Sequence, residues 1–110
     1  MKPYIHKHLA QGRWFQLSLP EQLGNVGSDV DRALRWRREK NIKEQDRALE
    51  RVLELLELTI ADPRWRTRLK ELTRTREVLL DYFYGDNDYH STPEGLSNYF
   101  LQFAILARNR

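Results

Sequence analysis

Cysteine is absent from this 110-residue chain, and methionine occurs once. Without cysteine there is no disulfide framework, no thiol nucleophile and no thiolate metal site. No apolar run approaches the ~20 residues that a membrane-spanning helix needs. The opening stretch "MKPYIHKHLAQGRW" lacks the apolar core of a secretory signal. These absences lead to the expectation of a cytoplasmic protein that does not enter the membrane. Glycine is limited to five positions and proline to four, and no segment alternates apolar and polar residues in strand rhythm. An all-α chain is therefore expected, and its length suits one domain.

Charge, by contrast, is abundant. Nineteen basic residues face sixteen acidic ones, and the balance of +3 is unevenly spread. Residues 1–40 carry +4, residues 41–62 carry −3, residues 63–84 carry +3 and residues 85–110 carry −1. Fourteen of the basic residues are arginine, the side chain better suited to bidentate contact with carboxylate or phosphate. An arginine-rich solvated helical surface accounts for much of this composition.

Four helices can be read from caps and periodicity. "SLPE" is a capping box in which Ser18 and Glu21 satisfy each other's backbone amides, with Pro20 in the first turn. Leu19, Leu23, Val26, Val30, Ala33 and Leu34 then follow a rhythm of threes and fours. A second helix is expected near Asn41. Its wide face of Ala48, Leu49, Val52, Leu53, Leu55, Leu56, Leu58 and Ile60 predicts the most buried element, with Arg47–Glu50 and Arg51–Glu54 as solvated i,i+3 pairs. Asp62 and Pro63 start a third helix running to about Tyr84, with Gly85 as a left-handed terminator. "GDNDYHS" is a loop. Ser91 or Thr92 then caps a fourth helix before Pro93, with Leu96, Tyr99, Phe100, Phe103 and Ala107 on one side. The expected fold is an antiparallel up-down four-helix bundle over residues 18–110, preceded by an N-terminal arm, residues 1–17. Tyr4, Ile5, Leu9, Trp14 and Phe15 should pin that arm.

Gly24 and Gly27 sit inside the first helix, where each costs about 1 kcal/mol of propensity against alanine. Gly24 and Ser28, four residues apart, fall on the face away from the apolar stripe with Gly27 to one side, and small residues so spaced admit a close neighbour: another helix of the chain, the N-terminal arm or a second copy. Leu101 and Ile105 project away from the apolar face of the fourth helix. Together these features predict a homo-oligomer using the back faces of helices one and four. In the third helix the inward stripe is predicted as Trp65, Leu69, Leu72, Arg76, Leu79, Leu80 and Phe83. Arg76 must then be paired, with Asp29, Glu50, Glu54 or Glu57, or it must snorkel to water. It is read either as a register-fixing buried ion pair or as an anion-binding arginine in a small polar core pocket.

Catalytic patterns are missing. There is no glycine-rich phosphate loop and no G-x-S-x-G. His6, His8 and His90 lie in the arm or a loop, and none follows an arginine as in helical-bundle ribonucleases of the HEPN type. His6 and His8 lack companion ligands for zinc. Asp86, Asn87, Asp88 and His90 do not follow a calcium-loop spacing. The chain is therefore read as a non-enzyme without cofactor or metal. The sharper expectation is nucleic-acid binding. Arg32, Arg35, Arg37, Arg38 and Lys40 cluster at one helix end around Trp36. Arg66, Lys70 and Arg74, spaced i,i+4, line the back of the third helix, partly offset by Glu77 and Asp81. Such stripes neutralise phosphates and bind RNA or DNA in a salt-dependent way.

The stretches "WFQLSLPEQLGNVGSDVDRALRW", "RALERVLELLELTIADPRWRTRLKELTRTREVLLDYFYGDNDY" and "STPEGLSNYFLQFA" resemble an uncharacterised family of small bacterial helical proteins. More distantly, the helix order and "QLGNVGSDVDRA" resemble the four-helix-bundle proteins of the ribosomal-RNA intervening-sequence type and the accessory protein of diversity-generating retroelements. That resemblance implies a cationic, ring-forming bundle that contacts nucleic acid and a nucleic-acid enzyme, a reverse transcriptase. It assigns no site residue. The function expected is a self-assembling, nucleic-acid-associated accessory or binding protein. The alternative is a small-ligand or anion-binding bundle, or a small enzyme, built around Arg76.

Overall fold

A computed structural model describes residues 12–109. Tyr4, Ile5, His6, His8 and Leu9 lie outside the described residues. Four α-helices pack against one another: α1 (Leu19–Arg38), α2 (Ile42–Ala61), α3 (Leu69–Tyr84) and α4 (Pro93–Arg108). Two 3-10 segments, Arg13–Gln16 and Pro63–Arg68, precede α1 and α3. No strand occurs among the described residues.

The capping box starts α1: the Glu21 amide donates to Ser18 Oγ at 3.3 Å, and the Ser18 amide donates to Glu21 Oε1 at 2.9 Å. The helix ends in a Schellman motif. The Asn41 amide reaches the Trp36 carbonyl, the Lys40 amide reaches that of Arg37, and Lys40 takes the left-handed conformation at φ 57°. Asn41 then caps α2 by accepting from the Glu44 amide.

α1, rather than α2, is the central element. It packs against both α2 and α4, whereas α3 lies against α2. The glycines explain the difference. A Cβ on Gly24 would stand 3.2 Å from Ala104 Cα, and one on Gly27 would overlap the Cβ of Phe100. The face expected to meet a second copy is thus filled by α4 of the same chain, which corrects half of the predicted subunit interface. The core runs from Leu23, Val26 and Val30 of α1 through Val52 and Leu56 of α2 to Leu72, Leu79 and Phe100.

The single third helix predicted from Asp62 is two elements. Trp65, at φ −103° and ψ 23°, breaks it, because its indole is held by α1 instead of continuing the helical stripe. The break also resets the register. Leu72, Thr75, Leu79 and Phe83 face inward, while Leu69 is exposed and Leu80 half-buried. Thr75 occupies the position expected of Arg76. Gly85 is extended, with φ −105° and ψ −157°, and not left-handed. Asn87 and His90 carry the positive φ in that loop instead. Thr92, not Ser91, caps α4 by accepting from the Gly95 amide at 3.0 Å.

Candidate functional site

The cationic residues singled out by sequence fall into two groups. Trp65 meets Gln22 near the start of α1, so neighbouring Arg66 lies at that end of the molecule. Arg37 lies over the Tyr82 ring at 4.9 Å, and the Tyr84 hydroxyl donates to Asp46 at 2.8 Å. The α1 terminus bearing Arg35 and Arg38 therefore belongs to the other end, with the start of α2 and the close of α3. Along α1 the two ends are roughly 24 Å apart, from a rise of about 1.5 Å per residue.

At the second end Arg32, Arg35, Arg37, Arg38 and Lys40 are exposed. Arg32 donates to the largely buried Asp29 at 2.7 Å. The Arg35 guanidinium sits 4.7 Å from the centre of the Trp36 ring. Arg38 shares a shallow depression with Asp31 and Glu94, which tempers its field. In the other group Arg66 and Lys70 are exposed but straddle the break at Arg68–Leu69, so they do not continue one helical stripe. Arg74 does not pair with Glu77 as anticipated. Its guanidinium lies 5.8 Å from the Tyr89 ring centre, and the Tyr89 hydroxyl donates to Glu77.

Arg76 is not a core charge. Its side chain is 40% exposed and reaches Glu57 at 3.7 Å, a partner itself 61% exposed. Only its Nε is buried without a hydrogen bond. The stem covers apolar surface while the head reaches water. It is not part of the groove described below.

Two arrangements escaped the sequence reading. The first is a buried polar knot. Gln22 Nε2 donates to the Trp14 carbonyl at 2.9 Å and to Asp62 at 3.3 Å, and its Oε1 accepts from the Trp65 indole at 2.8 Å. The Trp14 indole donates to Thr59 Oγ1 at 3.0 Å. Arg64 grips Asp62 through Nε and a terminal nitrogen and also donates to the Leu17 carbonyl. Hydrogen bonds from the Arg64 side chain hold the Asp62 carboxyl below its usual range, against the opposing effect of burial. Gln22 Nε2 and Oε1, both indole nitrogens and the Asp62 carboxylate all have partners, so the knot fastens the connection between α2 and α3 to α1. The only hints were a glutamine on the apolar stripe of α1 and a threonine among the leucines of α2.

The second is a groove of about 380 Å³ between α3 and α4, whose backbones stay apart over most of their length. Val78, Leu79, Leu96, Tyr99 and Phe100 line it, with Arg74 and His90 also contributing. The Tyr99 hydroxyl donates to Glu71 Oε2 at 2.9 Å and accepts from Thr75 at 3.1 Å. Arg68 donates to the other Glu71 oxygen. Burial, reinforced by Glu71, pushes the Tyr99 hydroxyl up to about 12. Beside the groove, the Asp81 carboxylate accepts the Asp88 and Tyr89 amides, and Asn87 brackets Ser91. Asp81 of α3 and Asn87 of the acidic loop are thus spent on the loop's backbone. No cluster of three potential metal ligands occurs among the described residues, and no described helix is long and apolar enough to cross a membrane. No protein-family profile matches the chain, and no curated protein or solved structure matches it either.

Proposed function

We propose that the protein is a non-enzymatic helical binding module, cytoplasmic and nucleic-acid-associated, that works as an accessory to a nucleic-acid enzyme. One observation carries the reading: Arg32, Arg35 and Arg38 recur every third residue along the exposed last turns of α1. Arg38 has no ion pair among the described residues. The Arg35–Trp36 stack adds the mixture of cation and aromatic ring that suits single strands. Helix-end arginines also complement the helix dipole, so charge there has a structural use as well. Arg66, Lys70 and Arg74 belong to a secondary surface. The separation of the two groups supports contact with one end of the bundle and argues against a single continuous stripe. The proposed kinship with small bacterial helical proteins, and more distantly with the intervening-sequence and retroelement accessory bundles, is consistent with this role.

An antiparallel up-down course is part of the proposal. It is supported by the contacts of Trp65 with Gln22 and of Arg37 with Tyr82, and by the seating of Ala104 on Gly24. Self-association is proposed through α4 alone. In this chain 32% of residues are charged, yet α4 carries only Glu94 and Arg108 and exposes Leu101, Ile105 and Leu106. The test is fluorescence anisotropy with a labelled single-stranded RNA and a DNA duplex. Binding should weaken steeply between roughly 50 and 200 mM salt, and R32Q/R35Q/R38Q should lose most of it. The absence of binding to either probe at ~50 mM salt overturns the reading.

A further inference from the structure

We propose that two copies of the chain pair antiparallel through α4, about a two-fold axis near Leu101. The inference rests on the self-association reading above and adds its geometry. α4 turns Leu96, Phe100 and Phe103 into the core. Counted at about 100° per residue, Glu94, Asn98, Leu101, Ile105 and Arg108 fall within roughly 80° of one another on the opposite side. All five are exposed. Leu101 and Ile105, 47% and 42% exposed, are neighbours one turn apart within this stripe, and Leu106 lies at its edge. Single exposed leucines are common on any surface, but these three adjoin on the least charged helix of the chain. Alternating steps of four and three residues make the stripe a seam of the kind one helix offers another.

Charge fixes the orientation. Glu94 and Arg108 are the charged residues of α4, and they stand two turns before and two turns after Leu101. Neither has an ion pair among the described residues, and Glu94 shares its depression with Arg38 without a salt bridge. Both signs suit the dipole of α4, but the dipole does not require them in line with Leu101 and Ile105. A parallel pair sets Glu94 against Glu94 and Arg108 against Arg108, like charge on like. An antiparallel pair centred on Leu101 sets Glu94 of each copy beside Arg108 of the other. That contact is self-complementary and closes at two copies. One helix face is a small interface, so the pair is weak and concentration-dependent. Because Arg38 adjoins Glu94, the two arginine-bearing ends of α1 come to lie at opposite ends of the interface. From a rise of about 1.5 Å per residue, they stand roughly 20 Å apart along it.

The experiment is sedimentation equilibrium of the full chain, followed by crosslinking of single-cysteine variants, which the absence of native cysteine makes unambiguous. The mass should rise with concentration from one copy to two and stop there. L101D/I105D should stay monomeric with its helical dichroism intact. Glu94→Arg and Arg108→Glu should each raise the dimer dissociation constant by about threefold to tenfold, the scale of two exposed ion pairs reversed in sign. The double reversal E94R/R108E should restore it. With a bis-maleimide too short for the ~20 Å between like helix ends, a mixture of Glu94→Cys and Arg108→Cys should crosslink, and Glu94→Cys alone should not. A dimer lost in L101D/I105D but crosslinked by Glu94→Cys alone, or one that the double reversal fails to restore, overturns the antiparallel pairing and leaves self-association through α4 standing. A monomer at millimolar concentration, or association undiminished in L101D/I105D, overturns both. A mass beyond two copies overturns the two-fold closure. The RNA and DNA titrations, read on the α1 arginines of the same chain, separate all of these outcomes from the nucleic-acid reading.

Discussion

Gly27 shows how much one absent methyl group controls. Its missing Cβ leaves the space that Phe100 fills, and Phe100 is 2% exposed. Alanine at this position gains about 1 kcal/mol of helix propensity and must displace a packed aromatic ring together with the backbone of α4. Overpacking of this kind costs about 1–3 kcal/mol. Gly27→Ala is expected to lower the denaturant midpoint, and more so than Gly24→Ala, whose nearest obstacle is 3.2 Å away. A higher midpoint for Gly27→Ala would mean that the two helices are not in contact there. That a close neighbour was needed could be read from the sequence. Its identity could not, because two glycines fit α4 and a second copy equally well.

The elements themselves were largely legible because caps are local chemistry. Ser18 with Glu21, Asn41 with Glu44, and Thr92 before Pro93 each signal a start within four residues. The misread part was the stretch after Asp62. An aspartate followed by proline opens an α-helix or a 3-10 turn equally well. The choice fell to the Trp65–Gln22 hydrogen bond between residues 43 positions apart. Once the turn intervened, a stripe counted from Trp65 was out of phase, and this is how Arg76 came to be expected in the core. The end of α1 was also hidden, since Lys40 does the work usually given to glycine. A left-handed non-glycine residue costs roughly 1–2 kcal/mol, part of which glycine gives back as unfolded-chain entropy. Lys40→Gly should therefore stabilise the fold by about 0.5–1 kcal/mol, measured as a shift in the urea midpoint at unchanged slope. A destabilised variant would show that the Lys40 side chain holds the turn in some other way.

For the molecule as a whole, stability should be bounded at both ends of the pH scale. Asp62 has its carboxyl pKa lowered in the folded state, chiefly by Arg64. Its contribution is present above the unfolded value of about 3.9 and is lost as pH falls through the folded one. Tyr99 has the opposite sign. Its pKa is raised from 10.0 to about 12, so the benefit of its neutral form is complete below 10 and disappears as pH rises through about 12. Melting temperatures followed across pH should decline at both edges. Asp62→Asn should flatten the acid limb and Tyr99→Phe the alkaline one. An acid limb unchanged in Asp62→Asn would place the acid-sensitive carboxylate elsewhere. The groove was out of reach of sequence reasoning for a related cause. It is a space left where two helices obey other partners, and no residue within it announces that space.

The order in which the chain is made gives the glycine seam a further meaning. Gly24 and Gly27 are synthesised before the helix that covers them, and the strip they expose on α1 stays bare until Pro93–Arg108 has emerged from the ribosome. The first two helices can form a hairpin during translation, but the seat for Phe100 and Ala104 waits through more than sixty intervening residues. Completion of the native packing is thereby deferred until synthesis has passed α4, and a nascent chain halted before it presents an open backbone cleft to whatever surveys unfinished proteins.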